Sequence, residues 1–213
     1  LFVTTSILLI LTAVEGQFNP LLLSFIFAIL FWSVLIKNKV EGAIDQLIYP
    51  LFGLFFITVP LAVMLLLRQT TAGEGALLAV LVTLWGVDSF AYLGGVRFGK
   101  RPLAPVFSPK KSVEGLIFGF LGGAFLLFLL NSYHIQLFTP IGIVAFALMM
   151  TLFGQGGDLL ESCIKRTGGC KDSGSLIPGH GGLLDRIDSL LFSLPVAYAW
   201  FTISKSSIIG GLF

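Results

Sequence analysis

Long stretches without a charged side chain constrain this sequence more than any other feature. No Asp, Glu, Lys or Arg occurs from Gly16 to Ile36, from Gln46 to Leu67, or from Gly115 to Gly157. Crossing a bilayer as a helix takes about 20 mostly apolar residues. The third stretch suits two such spans joined by a turn, with polar Asn131, Ser132, His134 and Gln136 in its middle. A lipid-exposed backbone must satisfy its own hydrogen bonds, and these runs are too long for barrel strands, so the spans read as helices. Composition agrees. Of 213 residues 56% are hydrophobic and 11% charged, too few charges to cover a water-facing surface when a soluble domain carries about 25%.

The expected fold is therefore all-α, a polytopic transmembrane helix bundle of about seven spans. These fall near 1–14, 18–36, 47–67, 76–96, 115–132, 139–157 and 187–204. No internal repeat or low-complexity linker divides the chain, which reads as one membrane domain over 1–213. The first residue is not Met, and the first apolar run begins at residue 1 with no basic residues ahead of it. An incomplete or processed N-terminus is expected rather than a signal peptide. Gly119, Gly122 and Gly123 are expected to let two helices pack closely.

Basic residues give the orientation. Alternating seven spans puts the connections 37–46, 97–114 and 158–186 on one side. They hold Lys37, Lys39, Arg97, Lys100, Arg101, Lys110, Lys111, Lys165, Arg166, Lys171 and Arg186, whereas the other side keeps only Arg68 and Lys205. Basic loops stay cytoplasmic, so the expected active site faces the cytoplasm. A net charge of +2 is too small to suggest nucleic-acid binding. Cys163 and Cys170 have no familiar zinc spacing and read as free thiols.

Chemistry concentrates in GDLLESCIKRTGGCKDSGSLIPGHGGLLDRIDS, from Gly157 to Ser189. If the preceding helix continues through 158–166, then Asp158, Glu161, Ser162 and Lys165 share one face. Asp185 and Asp188 have i, i+3 spacing at the entry to the last span. Between these acidic ends lie Gly168, Gly169, Gly174, Gly179, Gly181 and Gly182. Carboxylates of this kind suit Mg²⁺, which takes oxygen ligands and shares them with substrate phosphates. Glycines let backbone N–H groups approach a phosphate, and Lys165, Arg166, Lys171 and Arg186 neutralise remaining charge. Interfacial helix-end charges explain Lys171 or Asp172 singly, but not the block.

A second constellation lies upstream. Asp88 interrupts an apolar span in WGVDSFAYLGGVRFGK, and SPKKSVEG follows from Ser108 to Gly115. A carboxylate near mid-membrane is costly, so Asp88 is expected to face a polar cavity or a cation. Lys110 and Lys111 could meet a polyphosphate or an anionic lipid head group, or could be positive-inside anchors.

The run SCIKRTGGCKDSGSLIPGHGGLLDRID closely resembles the signature of the phosphatidate cytidylyltransferases, and both upstream stretches are similar to that family's. Together the matches cover most of residues 85–189. The resemblance implies a polytopic enzyme of a bacterial-type inner membrane that condenses CTP with phosphatidate, giving CDP-diacylglycerol and pyrophosphate. It implies a need for Mg²⁺, with a second cation left open, and partners limited to CTP, phosphatidate and membrane lipids; a homodimer also stays open. Carried over by position, Asp158 and Asp185 resemble the metal-binding acids. Lys165, Arg166 and Asp188 complete the expected catalytic group. Asp88, Ser108, Lys110, Lys111, Ser162, Lys171, His180, Gly181, Gly182 and Arg186 are the expected substrate contacts. His180 either donates to phosphate or organises its loop. The competing readings are a CTP-using lipid kinase, a transporter lined by the same acids, and a catalytically silent scaffold.

Overall fold

The computed structural model describes residues 2–15, 24–26, 28, 29, 32, 43–170, 172–174 and 182–205. Lys171, His180, Gly181 and most of the expected span 18–36 lie outside these. The chain divides into two compact units, Leu1–Thr71 and Ala72–Phe213.

In the first unit, α1 (Phe2–Val14) is joined in packing by α2 (Ala43–Gly53), a widened π turn (Leu54–Thr58) and α3 (Val59–Arg68). The π turn ends two residues before Pro60. Proline has no N–H to give and its ring crowds the carbonyl four residues back, so the ladder widens there. Ser6 and Thr58 share a 2.8 Å hydroxyl hydrogen bond. Gln69 Nε2 donates to the carbonyls of Ala13 (3.0 Å) and Val14 (2.7 Å), satisfying acceptors that the end of α1 would leave unmet.

The second unit holds every motif singled out above. It comprises α4 (Gly73–Phe98), strands β1 (Pro102–Ala104) and β2 (Ser108–Ser112), α5 (Val113–Leu130), a π turn (Asn131–Ile135), α6 (Pro140–Thr167) and α7 (Leu184–Lys205). The strands form an antiparallel hairpin, so the all-helical expectation misses one small sheet, and SPKKS is a strand rather than a loop. Glu114 pins the hairpin's base, accepting from the N–H groups of Lys100 (3.0 Å) and Arg101 (3.1 Å). Ser112 caps α5 through Gly115 N–H at 3.1 Å, and Thr139 caps α6 through Gly142 N–H at 3.1 Å.

Helices α4 and α5 pack along a glycine seam. A Cβ on Gly122 would meet the Phe90 ring at 2.2 Å, one on Gly119 the Val87 carbonyl at 2.8 Å, and one on Gly94 the Phe118 side chain at 2.4 Å. Small residues are thus required at these crossings, as the sequence implied. Between α5 and α6 the turn expected near Asn131 is present. Asn131 Oδ1 accepts from Leu137 and Phe138 N–H at 2.8 and 2.9 Å, and Gln136 adopts a left-handed conformation with φ 46°. Phe138, Phe146, Trp200 and Phe201 stack edge-on between α6 and α7.

Among the described residues four helical stretches are long and apolar enough to cross a membrane: Leu47–Arg68, Gly73–Phe98, Val113–Ile135 and Pro140–Thr167. The last is 28 residues, about 42 Å at 1.5 Å per residue, against a hydrocarbon core of about 30 Å. The surplus length carries Asp158 to Thr167, which is how one helix is both a span and a platform for charged groups.

Candidate active site

Helices α4 and α6, strand β2 and the start of α5 enclose a cavity of about 510 Å³. Its polar wall comes from three separate places in the sequence. Asp88 and Tyr92 stand one turn apart on α4, Lys110 and Lys111 come from β2, and Gln155 and Asp158 lie on α6. Gln155 Nε2 donates to Asp88 Oδ1 at 3.2 Å, giving this carboxylate on a candidate span a neutral partner. Asp88 thus lines a cavity that includes other polar groups.

Lys111 Nζ lies 2.5 Å from Asp158 Oδ2 as an ion pair, yet forms no hydrogen bond of good alignment among the described residues. Among the described residues Asp158 Oδ1 takes only a long 3.4 Å contact from Ser162 Oγ. Both groups keep hydrogen-bonding capacity. Asp188, buried on α7, accepts the Ser189 N–H at 2.7 Å. Asp88, Asp158 and Asp188 repel one another, while Lys111 attracts all three. These three carboxylates come from three helices, and Lys110 joins Lys111 in the cavity lining. Carboxylates crowded in this way favour a cation beside them.

The second half of the charged block behaves differently. Helix α6 continues to Thr167, so Asp158, Glu161, Ser162 and Lys165 do share a face. Lys165 Nζ bridges Glu161 Oε2 (2.6 Å) and Asp185 Oδ1 (2.5 Å). Asp185 Oδ2 then accepts from Ser173 N–H (2.9 Å), Ser173 Oγ (2.9 Å) and Gly182 N–H (2.7 Å). Burial alone would raise the Asp185 carboxyl. The Lys165 ammonium and these donors outweigh it and hold the group well below the usual carboxylate range. Gly182 lies so close to Ser173 that a Cβ there would meet Ser173 Oγ at 2.2 Å and Gly174 N at 2.8 Å. Close approach, rather than backbone freedom, is what this glycine provides.

The remaining expected residues are more peripheral. Arg166 is exposed and donates to the Cys170 carbonyl at 3.4 Å. Arg186 is exposed in the first turn of α7, and Ser108 begins β2. Cys163 and Cys170 are free thiols. Two residues missing from the expected set matter here. Gln155 is an amide inside a span, where a polar group needs a partner, and that cost was the available signal. Glu161 was visible on the α6 face, but its burial beneath Lys165 was not.

The Cytidylyltransferase family profile matches residues 1–204. The chain is 38% identical over 205 residues to the phosphatidate cytidylyltransferase of Thermotoga maritima, covering 91% of this chain and 73% of that one. It is 33% identical over 187 residues to that of Rickettsia felis, covering 85% and 82%. A 131-residue match, at 46% identity, links it to the chloroplastic phosphatidate cytidylyltransferase 4 of Arabidopsis thaliana, over 60% of this chain and 33% of the longer plant protein. The chain belongs to the cytidylyltransferase family, alongside the phosphatidate cytidylyltransferases.

Proposed function

We infer that this chain condenses CTP with phosphatidate, releasing pyrophosphate and forming CDP-diacylglycerol for phospholipid synthesis. The family match supports the substrates, and the observation that carries the chemistry is the cavity where Lys110 and Lys111 confront Asp88 and Asp158. In the reaction a phosphate oxygen of phosphatidate attacks the α-phosphorus of CTP. The new P–O bond forms as the bond to the β-phosphate breaks, and pyrophosphate leaves. A phosphate monoester has its second pKa near about 6, so the nucleophile is largely ionised without a protein base. The work left to the protein is positioning and charge neutralisation.

Among the described residues no three His, Cys, Asp or Glu side chains are grouped to enclose a metal ion. Asp158, with a loosely engaged oxygen and acidic neighbours, nevertheless fits the one or two carboxylates that Mg²⁺ takes when phosphates supply other ligands. Asp185 has both oxygens engaged by Lys165, Ser173 and Gly182, so we assign it to anchoring that loop rather than to the metal. Bound Mg²⁺ would neutralise phosphate charge as pyrophosphate departs. Lys111 and Lys110 hold phosphoryl oxygens, and Asp88 with Gln155 fixes the cavity's inner wall. Arg166, Lys171, Arg186 and His180 offer further donors to phosphate. Lys165, already shared by two carboxylates, has less charge to give.

The charge asymmetry of the loops supports a seven-span bundle with this site at the cytoplasmic face of a bacterial-type inner membrane. Acyl chains would then stay in the bilayer while the head group meets CTP. The direct test is pyrophosphate release from CTP by the purified protein with Mg²⁺, with and without phosphatidate. Release that depends on phosphatidate is the expected result. Release of CDP would point to a lipid kinase, and solute flux into liposomes without CTP consumption would point to a transporter.

A further inference from the structure

The Lys165 bridge continues inward to a residue that has no direct route to substrate. Glu161 is 2% exposed, and its Oε2 lies 2.6 Å from Lys165 Nζ. Its other oxygen, Oε1, is buried without a hydrogen bond among the described residues. A buried carboxylate with one oxygen unmet is expensive, and a residue that only filled space here would be apolar. What the charge does provide is a seat for Lys165. Two carboxylates from two helices hold one ammonium between them, fixing the far end of its long side chain from two sides. The outer carboxylate, Asp185, gathers Ser173 and Gly182 on a single oxygen.

We propose that Glu161 is a positioning residue: it seats Lys165 against Asp185 and thereby keeps Ser173 and Gly182 fastened together beside the site. The order of contacts gives each member a distinct role. Glu161 sets Lys165, Lys165 sets the side chain of Asp185, and Asp185 gathers the two backbone N–H groups. Removing Glu161 leaves Asp185 its partner but frees that partner to swing, so the fastening loosens without disappearing. Removing Lys165 abolishes the link from α6 altogether. Any effect of Glu161 on turnover rests on the function inferred above, whereas its effect on Ser173 and Gly182 does not.

The test is amide hydrogen exchange on the full chain in detergent, comparing wild type with Glu161→Ala, Glu161→Gln and Lys165→Met. In Glu161→Ala, exchange at Ser173 and Gly182 should accelerate about tenfold, the scale of one lost charge-assisted hydrogen bond, while α4 and α5 exchange as before. Glu161→Gln keeps the size and an acceptor oxygen, so its acceleration should be smaller, and it carries the test if the alanine variant does not fold. Adding Glu161→Ala to Lys165→Met should change exchange no further, because the two act in series. In parallel, the KM for CTP should rise more than kcat falls in Glu161→Gln. Unchanged exchange at Ser173 and Gly182 in both Glu161 variants would overturn the proposal. So would equal acceleration throughout the protein, or additive effects of Glu161 and Lys165. If wild type consumes no CTP, the exchange result still decides the role of Glu161, and only the inferred function fails.

Discussion

The two ends of the charged block on α6 use the same residue types for opposite purposes. At Asp158 the partners are incomplete: the Lys111 ammonium lacks a well-aligned acceptor, and the site opens onto a cavity that Asp88 and Lys110 also line. Two turns further along, at Lys165, the ammonium is shared by Glu161 and Asp185, and Asp185 has no oxygen unengaged. One end is left incomplete, which is the condition for binding a charged ligand. The other is closed on itself, which is the condition for holding a shape. Charge density alone therefore does not identify a binding site, and neither does an unmet atom, since Glu161 Oε1 is also unmet; unmet capacity that lines a cavity does.

Substitutions should separate the two ends. The largest effect is expected at the open end. Asp158→Asn should lower turnover by roughly 100- to 1000-fold, the scale of losing one preorganised electrostatic group, with exchange at Ser173 and Gly182 unchanged. Asp185→Asn should also cut turnover severely, but through the loss of protection at those two amides. If Asp185→Asn instead leaves them protected and only shifts the Mg²⁺ dependence, then Asp185 is a metal ligand and the contrast fails. Lys111→Ala should lower kcat/KM by about 10- to 100-fold, as expected for a lost charge-assisted phosphate contact, read from steady-state rates in CTP. The glycine seam should respond in stability instead. Gly94→Ala drives a Cβ to 2.4 Å from Phe118, an overpacking cost of about 1–3 kcal/mol, seen as a lower unfolding temperature. Smallest of all, Arg101→Ala removes an ion pair whose arginine is 73% exposed. It should barely move the unfolding temperature, because solvent screens an exposed pair, and leave turnover unchanged.

How much of this was legible in the sequence depends on the range of the interaction. The apolar runs are local: α5 and α6 form on the uncharged stretch that suggested two spans, and α4 covers the expected span 76–96. The shared face of Asp158, Glu161, Ser162 and Lys165 is also local, a consequence of helical period. The meeting of Lys111 with Asp158 is not, because it depends on β2 folding back as a hairpin that Pro109 and adjacent lysines disguise as a loop. Gln155 escaped notice because its meaning lies in Asp88, a residue on another helix. The division between open and closed ends was hidden for the same reason: it is decided by which partner each charge finds, and partners come from distant segments.

The central claim is that the chain transfers a cytidylyl group, and the fate of two labels on CTP tests it most directly. Purified protein is given phosphatidate, Mg²⁺ and CTP labelled at the α- or the γ-phosphorus. The account expects α-label to enter the lipid fraction and γ-label to appear in pyrophosphate, with both signals lost in Asp158→Asn. Label from the γ-phosphorus in lipid, with the α-label remaining in CDP, would contradict it.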